Sequence, residues 1–305
     1  MPSLTKKQTR NLQKVESGDR ITDIVVTVLM IVLALIALYP LYFTIIASIS
    51  NPAYIAKGKV VLLPKGVTSL AYEALFAEKR IWIGYRNSIF YTIAFTLINL
   101  FVTIPCAYAL SRPTLPGRKG LFLFFTITMY FTGGTVPTYL LMNKLKLINT
   151  VWIMIIPHGV SATNLIICRN YFTDNIPESL YESARIDGAN LFQFFSRFVV
   201  PLSKPIISVM ALYFSIAKWN AYFEPMIYIQ DNNKQTLQVI IRSITAALDS
   251  SMTDALDPDA LDRVMQQQQL LKYAVVIVAA LPLMLMYPFI QRYLISGVMV
   301  GAVKE

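Results

Sequence analysis

Apolar residues along this 305-residue chain occur in long blocks separated by shorter polar connections. Five of these blocks contain no charged residue, and a helix of about 20 mostly apolar residues crosses the hydrocarbon core of a bilayer. A sixth block contains Lys204 and Lys218, whose long side chains can reach back to the interface from near the helix ends. The alternative is five spans and one buried helix of the soluble type. The six predicted spans are 24–50, 87–111, 121–143, 147–168, 202–222 and 273–291.

The composition agrees with a membrane protein. Hydrophobic residues make up 55% of the chain and charged residues 14%, whereas soluble domains carry about 25% charged residues. The first block is too long for a cleavable signal peptide, and no small-residue cleavage site follows it. With no low-complexity linker and no tandem repeat, the pattern predicts one all-α membrane domain.

Basic residues before the first span predict the orientation. The N-terminal tail carries Lys6, Lys7, Arg10, Lys14 and Arg20, and such residues favour the cytoplasmic side. Six spans then place both termini in the cytoplasm, together with the basic loop 112–119. The net charge of +10 suits an anionic inner leaflet. No basic stripe is interleaved with aromatic residues on a polar face, so a nucleic-acid partner is not expected.

Few residues are available for catalysis or metal binding. Cys106 and Cys168 lie within predicted spans and are interpreted as small buried hydrophobic residues. His158, the only histidine, follows Pro157 inside the fourth predicted span. A hydrogen-bonded role in helix packing is favoured over a proton relay, because no acidic residue lies in the same span. We therefore predict no catalytic residue and no metal site.

Two outer loops and one span carry further signals. The segment 69–78 predicts a short amphipathic helix at the outer interface. The longest outer loop, 223–272, contains the amphipathic segment 236–248 and then five aspartates, which would either dock a soluble partner or lie in solvent. Gly133, Gly134 and Pro137 interrupt the third span, as occurs at a packing kink or beside a cavity.

The cytoplasmic segment 177–201 predicts two short helices joined by a bend. Pro177 and Glu178 suit a first helical turn, and Gly188 is a natural helix stop. A second helix over 191–199 contains four phenylalanines, and Pro201 is expected to break it as the fifth span begins. Phe194, Phe195 and Phe198 are expected to anchor this elbow to the bundle. An apolar surface rimmed by charge usually marks a protein interface.

The spacing of Glu182, Ala184, Gly188 and Pro201 resembles the EAA loop of binding-protein-dependent ABC importers. Ser183 replaces the middle alanine of the family motif, and Phe198 and Val200 replace its isoleucine and leucine. Several other segments resemble permeases for carbohydrates and complex oligosaccharides, and the last of them resembles the tail of the maltose-type second permease. These segments are 132–139, Trp219-Asn220, 236–242, 287–293 and 297–304.

This resemblance implies a type I importer permease with six transmembrane helices, located as a multi-pass protein in the cytoplasmic membrane of a bacterium. The implied parts are a tail over 1–22, the permease domain over 23–293 and a C-terminal tail over 294–305. The implied partners are a second homologous permease, two ATPase subunits and an extracytoplasmic sugar-binding protein. ATP and Mg would bind the ATPases, with no cofactor in this chain, and no Walker A sequence is present. The implied ATPase-coupling residues are Glu182, Ser183, Ala184, Asp187, Gly188 and Pro201, with Val300, Gly301 and Lys304 in the tail.

Residues along the solute pathway are harder to predict from sequence. Polar and aromatic groups within a span tend to face other helices or a cavity. Each candidate for sugar contact could therefore instead form a hydrogen bond that packs two helices together. The candidates for sugar contact are Asn99, Tyr130, Asn164, Trp219 and Asn220.

Three other functions are left open. A permease for peptides or amino acids would share the loop. An ion-coupled secondary transporter usually carries acidic residues within its spans, and spans one to four and six contain none. A membrane enzyme would need a catalytic constellation.

Overall fold

The computed structural model describes residues 6–253 and 271–285, and all the regular structure in these ranges is helical. The described residues form two compact units, 6–73 with 251–253 and 271–277, and 74–250 with 278–285. The helices are α1 Lys6–Ser48, α2 Pro52–Ala56, α3 Leu70–Ala77, α4 Lys79–Ser111, α5 Arg118–Tyr130, α6 Thr135–Lys144, α7 Ala162–Asn175, α8 Glu178–Ile186, α9 Leu191–Phe194, α10 Val200–Leu202, α11 Lys204–Trp219, α12 Phe223–Tyr228, α13 Leu237–Thr253 and α14 Leu271–Leu285.

The first unit is organised around α1. Residues 22–48 of this helix are strongly apolar, and most of their side chains are exposed. Such a surface is stable only in lipid or against another protein. The end of the helix does pack: Ile46 and Ala47 form a small core with Ile55 and Val60. The backbone continues as helix from Lys6 through Ser48, without a break between the predicted tail and the span.

The second unit is built around α4, against which α7 and α11 pack. The apolar residues that α4 buries lie mainly in its second half and contact the two neighbouring helices. Each of these helices satisfies its backbone hydrogen bonds internally, as a segment in lipid must. The core residues include Phe95, Ile104, Tyr108, Leu165, Phe172, Met210 and Phe214.

Only part of the predicted set of six spans is present as straight helices. Residues 22–48 and α4 are each long and apolar enough to cross a membrane. Two bent pairs qualify if each is counted as one span: α5 with α6, at an angle of 114°, and 191–202 with α11, at 77°. The described residues therefore contain two candidate spans, or up to four.

The third and fourth predicted spans are interrupted for identifiable reasons. Between α5 and α6, Gly134 adopts a positive φ of 81°, as the paired glycines suggested. In the fourth block, a single 3₁₀ turn over Val151–Met154 precedes an irregular stretch, and α7 begins only at Ala162. Pro157 lacks an N–H for a helix, and His158 has a φ of 62°. The prediction of one continuous helix over 147–168 is therefore wrong.

The fifth and sixth predicted spans also differ in detail. The bend before α11 lies at Ser203, whereas we expected it at Pro201. Pro201 lies inside the helical run over 191–202 and does not end it. Helix α14 covers 271–285, and the remainder of the sixth predicted span lies outside the described residues.

The two amphipathic outer segments are helical. Helix α3 covers 70–77 of the predicted 69–78, and α13 extends the predicted 236–248 to Thr253. Most of the aspartate-rich stretch lies outside the described residues. Near its beginning, α13 packs against Gly84 of α4: a Cβ on Gly84 would lie 2.9 Å from both the Leu237 Cα and the Ile240 Cδ1.

We predict that Gly84→Ala destabilises the second unit. The added methyl group would meet backbone atoms of α13, which cannot rotate away, and overpacking of this kind typically costs about 1–3 kcal/mol. Thermal unfolding of the purified protein in detergent measures the effect. Gly120→Ala is the matched control, because nothing lies within 4 Å of its added Cβ. Equal melting temperatures for the two variants would contradict the predicted close packing.

Candidate coupling segment and polar cluster

The coupling segment, residues 177–203, forms an elbow. Helix α8 starts after Pro177 with Glu178 in its first turn, where a negative side chain is favourable. At the other end Gly188 adopts a φ of 81°. Its N–H donates to the Arg185 carbonyl at 3.0 Å, and the Ala189 N–H donates to the Ala184 carbonyl at 2.9 Å. A left-handed glycine with these bonds is a standard helix end.

A capping box starts the next helix within two residues of the bend. The Gln193 N–H donates to the Asn190 side-chain oxygen at 2.8 Å, and the Asn190 N–H donates to the Gln193 side-chain oxygen at 2.9 Å. These reciprocal bonds satisfy two backbone donors at the start of α9. From Phe195 to Val199 the helix widens into a π-helical turn. The two caps hold the bend between α8 and α9 in one geometry.

Aromatic side chains attach the elbow to the second unit. Phe194 is fully buried. Its ring lies 5.2 Å from that of Tyr181 and stacks on Phe198 at 5.6 Å. The ring centroid of Phe195 lies 5.3 Å from that of Tyr108 on α4. Phe194 and Phe195 thus lie where an anchor was expected, whereas Phe198 is 39% exposed and contacts the anchor from outside.

The predicted coupling residues divide between two faces of the elbow. Glu182, Ser183, Asp187 and Gly188 are exposed. Ala184 is buried at 5% exposure in the core cluster of the second unit. Ala184 belongs to the same motif as the exposed residues but faces the bundle. Its small side chain lets α8 approach the bundle closely.

The exposed face of the elbow is partly apolar. Ile186 is 87% exposed, Phe192 77% and Leu191 58%, and together with Glu182 and Asp187 they form what we call the knob. These three apolar side chains lie on either side of the Gly188 bend. Sequence analysis identified the elbow but did not single out these residues.

Arg112 is a site residue that sequence analysis used only to predict orientation. It follows the last residue of α4, and its Nη1 donates to the Glu178 Oε2 of α8 at 2.7 Å. The only available signal was a lone arginine between an apolar block and Pro113. Pairing it with Glu178, 66 residues away, requires the fold.

A cavity of about 490 Å³ is lined by residues of α4, α5, α7 and α11 and of the turn before α7. One predicted pathway residue lines it, namely Asn164 near the start of α7, and so does His158. The remaining wall is a mixture of small polar and apolar groups. The other lining residues are Phe95, Thr128, Met129, Val160, Ser161, Ala162, Thr163, Phe214 and Ala217.

The other predicted pathway residues do not line this cavity. Asn99 is fully buried in α4, and its side-chain nitrogen donates to the Phe95 carbonyl at 2.9 Å. Trp219 is also buried, donating from its ring nitrogen to the Ala279 carbonyl at 2.9 Å. Tyr130 and Asn220 are exposed. The structure therefore does not gather the five candidates into one site.

A three-residue polar cluster adjoins the cavity. The Glu224 carboxylate accepts from Lys218 Nζ at 3.3 Å and lies 3.2 Å from His158 Nε2. The Lys218 side chain is only 4% exposed, and its ammonium also lies 4.7 Å from the Phe95 ring centroid. We expected Lys218 to reach the interface, and this is wrong: an anion from α12 makes the inward position tolerable.

His158 also differs from its predicted role. It was interpreted as a helix-packing residue without an acidic partner, yet it lies in a turn, its side chain is 67% exposed, and its acidic neighbour Glu224 comes from another element. Among the described residues, no three His, Cys, Asp or Glu side chains are arranged to hold a metal ion. Cys168 is buried, as a small hydrophobic residue would be.

The helical fold and this elbow place the protein in the class of integral membrane permeases, and a comparison with known families agrees. A family model described as binding-protein-dependent transport system inner membrane component matches residues 81–300. The chain belongs to this family.

Individual relatives share nearly the whole length. The chain is 34% identical over 286 residues to the polygalacturonan/rhamnogalacturonan transport system permease protein YtcP of Bacillus subtilis, covering 94% of this chain and 99% of that one. It is 35% identical over 269 residues to the protein LplC of the same organism, covering 88% and 90%. A chain in a crystal structure of a bacterial ABC transporter involved in importing the acidic polysaccharide alginate matches with a TM-score of 0.78 and 31% identity, covering 96% and 99%.

We predict that Glu224→Gln destabilises the protein. Removing the carboxylate leaves the buried Lys218 ammonium without its anion, and an unsatisfied buried polar group costs about 1–3 kcal/mol. Thermal unfolding in detergent is the measurement, and adding Lys218→Met to Glu224→Gln should recover part of the loss.

The matched control for this prediction is Glu78→Gln. Glu78 pairs with Arg80 at 3.0 Å, but both side chains are well exposed, and such surface pairs contribute little. The Glu78 side-chain oxygen also accepts from the Arg80 N–H at the start of α4, and the glutamine oxygen can keep that bond. If Glu224→Gln and Glu78→Gln had the same small effect, the buried cluster would not stabilise the fold.

Proposed function

We propose that this chain is one of two homologous permease subunits of an ATP-driven importer that carries an oligosaccharide across the cytoplasmic membrane of a bacterium. One observation supports the proposal most strongly. In a member of the binding-protein-dependent permease family, an elbow fixed by the Gly188 bend presents an apolar, acid-rimmed knob that the described residues leave uncovered. Such a surface suits a soluble protein partner.

The proposed knob partner is an ATPase subunit in the cytoplasm. Glu182, Ser183, Asp187 and Gly188 lie on the outward face and would contact it directly. Ala184 would act from the inner face by seating the elbow on the bundle. Closure of two ATPase subunits on ATP and Mg would move both elbows, and the bundle would open outward in alternating access. Val300, Gly301 and Lys304, outside the described residues, would add a second contact.

The remaining parts of the proposal follow from this arrangement. The second permease would supply the other half of the pathway, and an extracytoplasmic sugar-binding protein would deliver cargo to the outer face. The bent pair of α5 and α6, the segment containing α7, helix α11 and helix α14 would join α1 and α4 to complete six membrane passages with both termini in the cytoplasm. This chain itself would need no cofactor.

The cargo is proposed to be an acidic oligosaccharide. Two relatives support this, one named for polygalacturonan and rhamnogalacturonan and one involved in importing alginate. The cavity lined by His158 and Asn164 is the proposed contact for this chain. A permease for peptides or amino acids is not favoured by these relatives, and neither is a secondary transporter.

We predict that Gly188→Pro abolishes capture of the ATPase. Proline fixes φ near −65° and removes an N–H, whereas Gly188 has a φ of 81° and donates to Arg185. The tagged chain, coexpressed with its genomic neighbours, is purified in mild detergent and its partners are identified by mass spectrometry.

Gly188→Ala is the matched control for this prediction. Nothing lies within 4 Å of the added Cβ, so the cost is confined to the left-handed backbone, about 1–2 kcal/mol, and much of the capture should remain. Capture of the ATPase by Gly188→Pro at the native level would contradict the assignment of the knob. Recovery of the native chain without any ATPase, in several detergents, would contradict the importer itself.

We also predict a preference for acidic cargo. The binding protein recovered with the complex should bind a galacturonate trimer more tightly than a neutral glucose trimer, by at least about tenfold, because charge-assisted hydrogen bonds are roughly twice as strong as neutral ones. Calorimetric titration measures both affinities. Equal affinities, or tighter binding of the neutral trimer, would contradict the acidic class while leaving the importer assignment in place.

A further inference from the structure

Arg112 lies where the membrane-spanning helix α4 meets the coupling segment. It directly follows Ser111, the last residue of α4, and its own N–H donates to the Ala109 carbonyl at 3.1 Å. Its side chain is only 9% exposed. A buried arginine is uncommon unless a partner compensates its charge.

The Arg112 guanidinium contacts three parts of the elbow and of α4 at once. Its Nη1 donates to Glu178 in the first turn of α8. The guanidinium carbon lies 4.6 Å from the ring centroid of Tyr108 on α4, 6.0 Å from that of Tyr181 on α8 and 5.9 Å from that of Phe194 on α9. Three aromatic rings and one carboxylate therefore surround a single cation.

The pair matters more because the packing beside it is incomplete. A mostly apolar cavity of about 540 Å³ lies between α4 and the elbow, and Arg112, Tyr108 and Tyr181 are among the residues that line it. Continuous side-chain packing therefore does not fix the elbow on this side. The Nε and Nη2 atoms of Arg112 are also buried and have no hydrogen-bond partner among the described residues. Separating Glu178 from this cation would leave a buried charge without compensation.

We propose that Arg112 is a positioning residue that makes the elbow and the cytoplasmic end of α4 move together. The inference rests on the proposed function, in which an ATPase moves the elbow. Glu178 transmits a displacement of α8 to the guanidinium, and the Arg112 backbone transmits it to α4. The planar guanidinium suits this role because it binds a carboxylate and stacks on aromatic rings simultaneously.

The test measures a distance between the elbow and α4 in the assembled complex. Spin labels are placed at Ser179, exposed on α8 and outside the knob, and at Phe101, 81% exposed on α4, with Cys106 and Cys168 replaced by alanine. In the parent protein the distance distribution should stay narrow when ATP is added. In Arg112→Met and Glu178→Gln it should shift or broaden by about 2 Å or more, with ATP hydrolysis retained.

Two further variants separate positioning from folding. Arg112→Lys keeps the charge without the planar group, so it should restore part of the narrow distribution. Lys119→Met, which removes an exposed cation nearby, should behave like the parent. If Arg112→Met does not assemble, Glu178→Gln gives the same readout with the guanidinium and its aromatic contacts in place.

The outcomes are distinguishable. A narrow, unshifted distribution in the assembled Glu178→Gln complex with ATP would overturn the role of Arg112 and leave the importer assignment intact. A parent complex that contains no ATPase would overturn the proposed function, and the role of Arg112 with it.

Discussion

The contact between the buried elbow residues and the end of α4 is the constraint on which the rest of the structure depends. Phe194 is fully buried at the centre of this contact, and the Arg112–Glu178 pair lies at its edge. Without it, α8 and α9 would be short amphipathic helices, and isolated helices of this length are marginal in water. The contact turns the elbow into a rigid extension of a membrane-spanning helix.

The two polar networks of the second unit have related designs. In each, a basic side chain at the end of a long helix is buried against aromatic rings and paired with a glutamate from the first turn of a short helix. Lys218 pairs with Glu224 beside Phe95, and Arg112 pairs with Glu178 beside Tyr108. Both pairs tie a connecting helix to a core helix, so the loops of this unit are fixed by charge as well as by packing.

The features predicted correctly from the sequence are those that short-range signals determine, namely apolar blocks and the residues that start or stop a helix. The predicted spans 24–50 and 87–111 fall almost entirely within the continuous helices α1 and α4, and the elbow begins at Glu178 and bends at Gly188 as local propensities indicated. The fourth block shows the limit of such reasoning. It is as apolar as a span, yet Pro157 and the left-handed His158 lie in an irregular stretch between the 3₁₀ turn and α7. Apolar composition measures preference for lipid and does not by itself require a straight helix.

The errors at individual residues share a physical cause. Ala184 was assigned from the family motif and Lys218 from residue type, but the position of each depends on its packing: the core cluster around Phe194 for the alanine and Glu224, six residues away on another helix, for the lysine. The pathway candidates were chosen as polar or aromatic groups within spans, and Asn99 and Trp219 instead donate hydrogen bonds to backbone carbonyls. Residue type and hydropathy do not specify which of these contacts forms, because each depends on how the helices and turns pack in three dimensions.

The most direct test of the central claim is photo-crosslinking from the knob. A photoreactive phenylalanine analogue at Phe192, 77% exposed on the elbow, is compared with the same analogue at Phe101, 81% exposed in the membrane-spanning α4. The account predicts a crosslink from position 192 to an ATPase subunit and none from position 101. An ATPase crosslink from neither position, in a complex that contains the ATPase, would show that the elbow is not the docking surface.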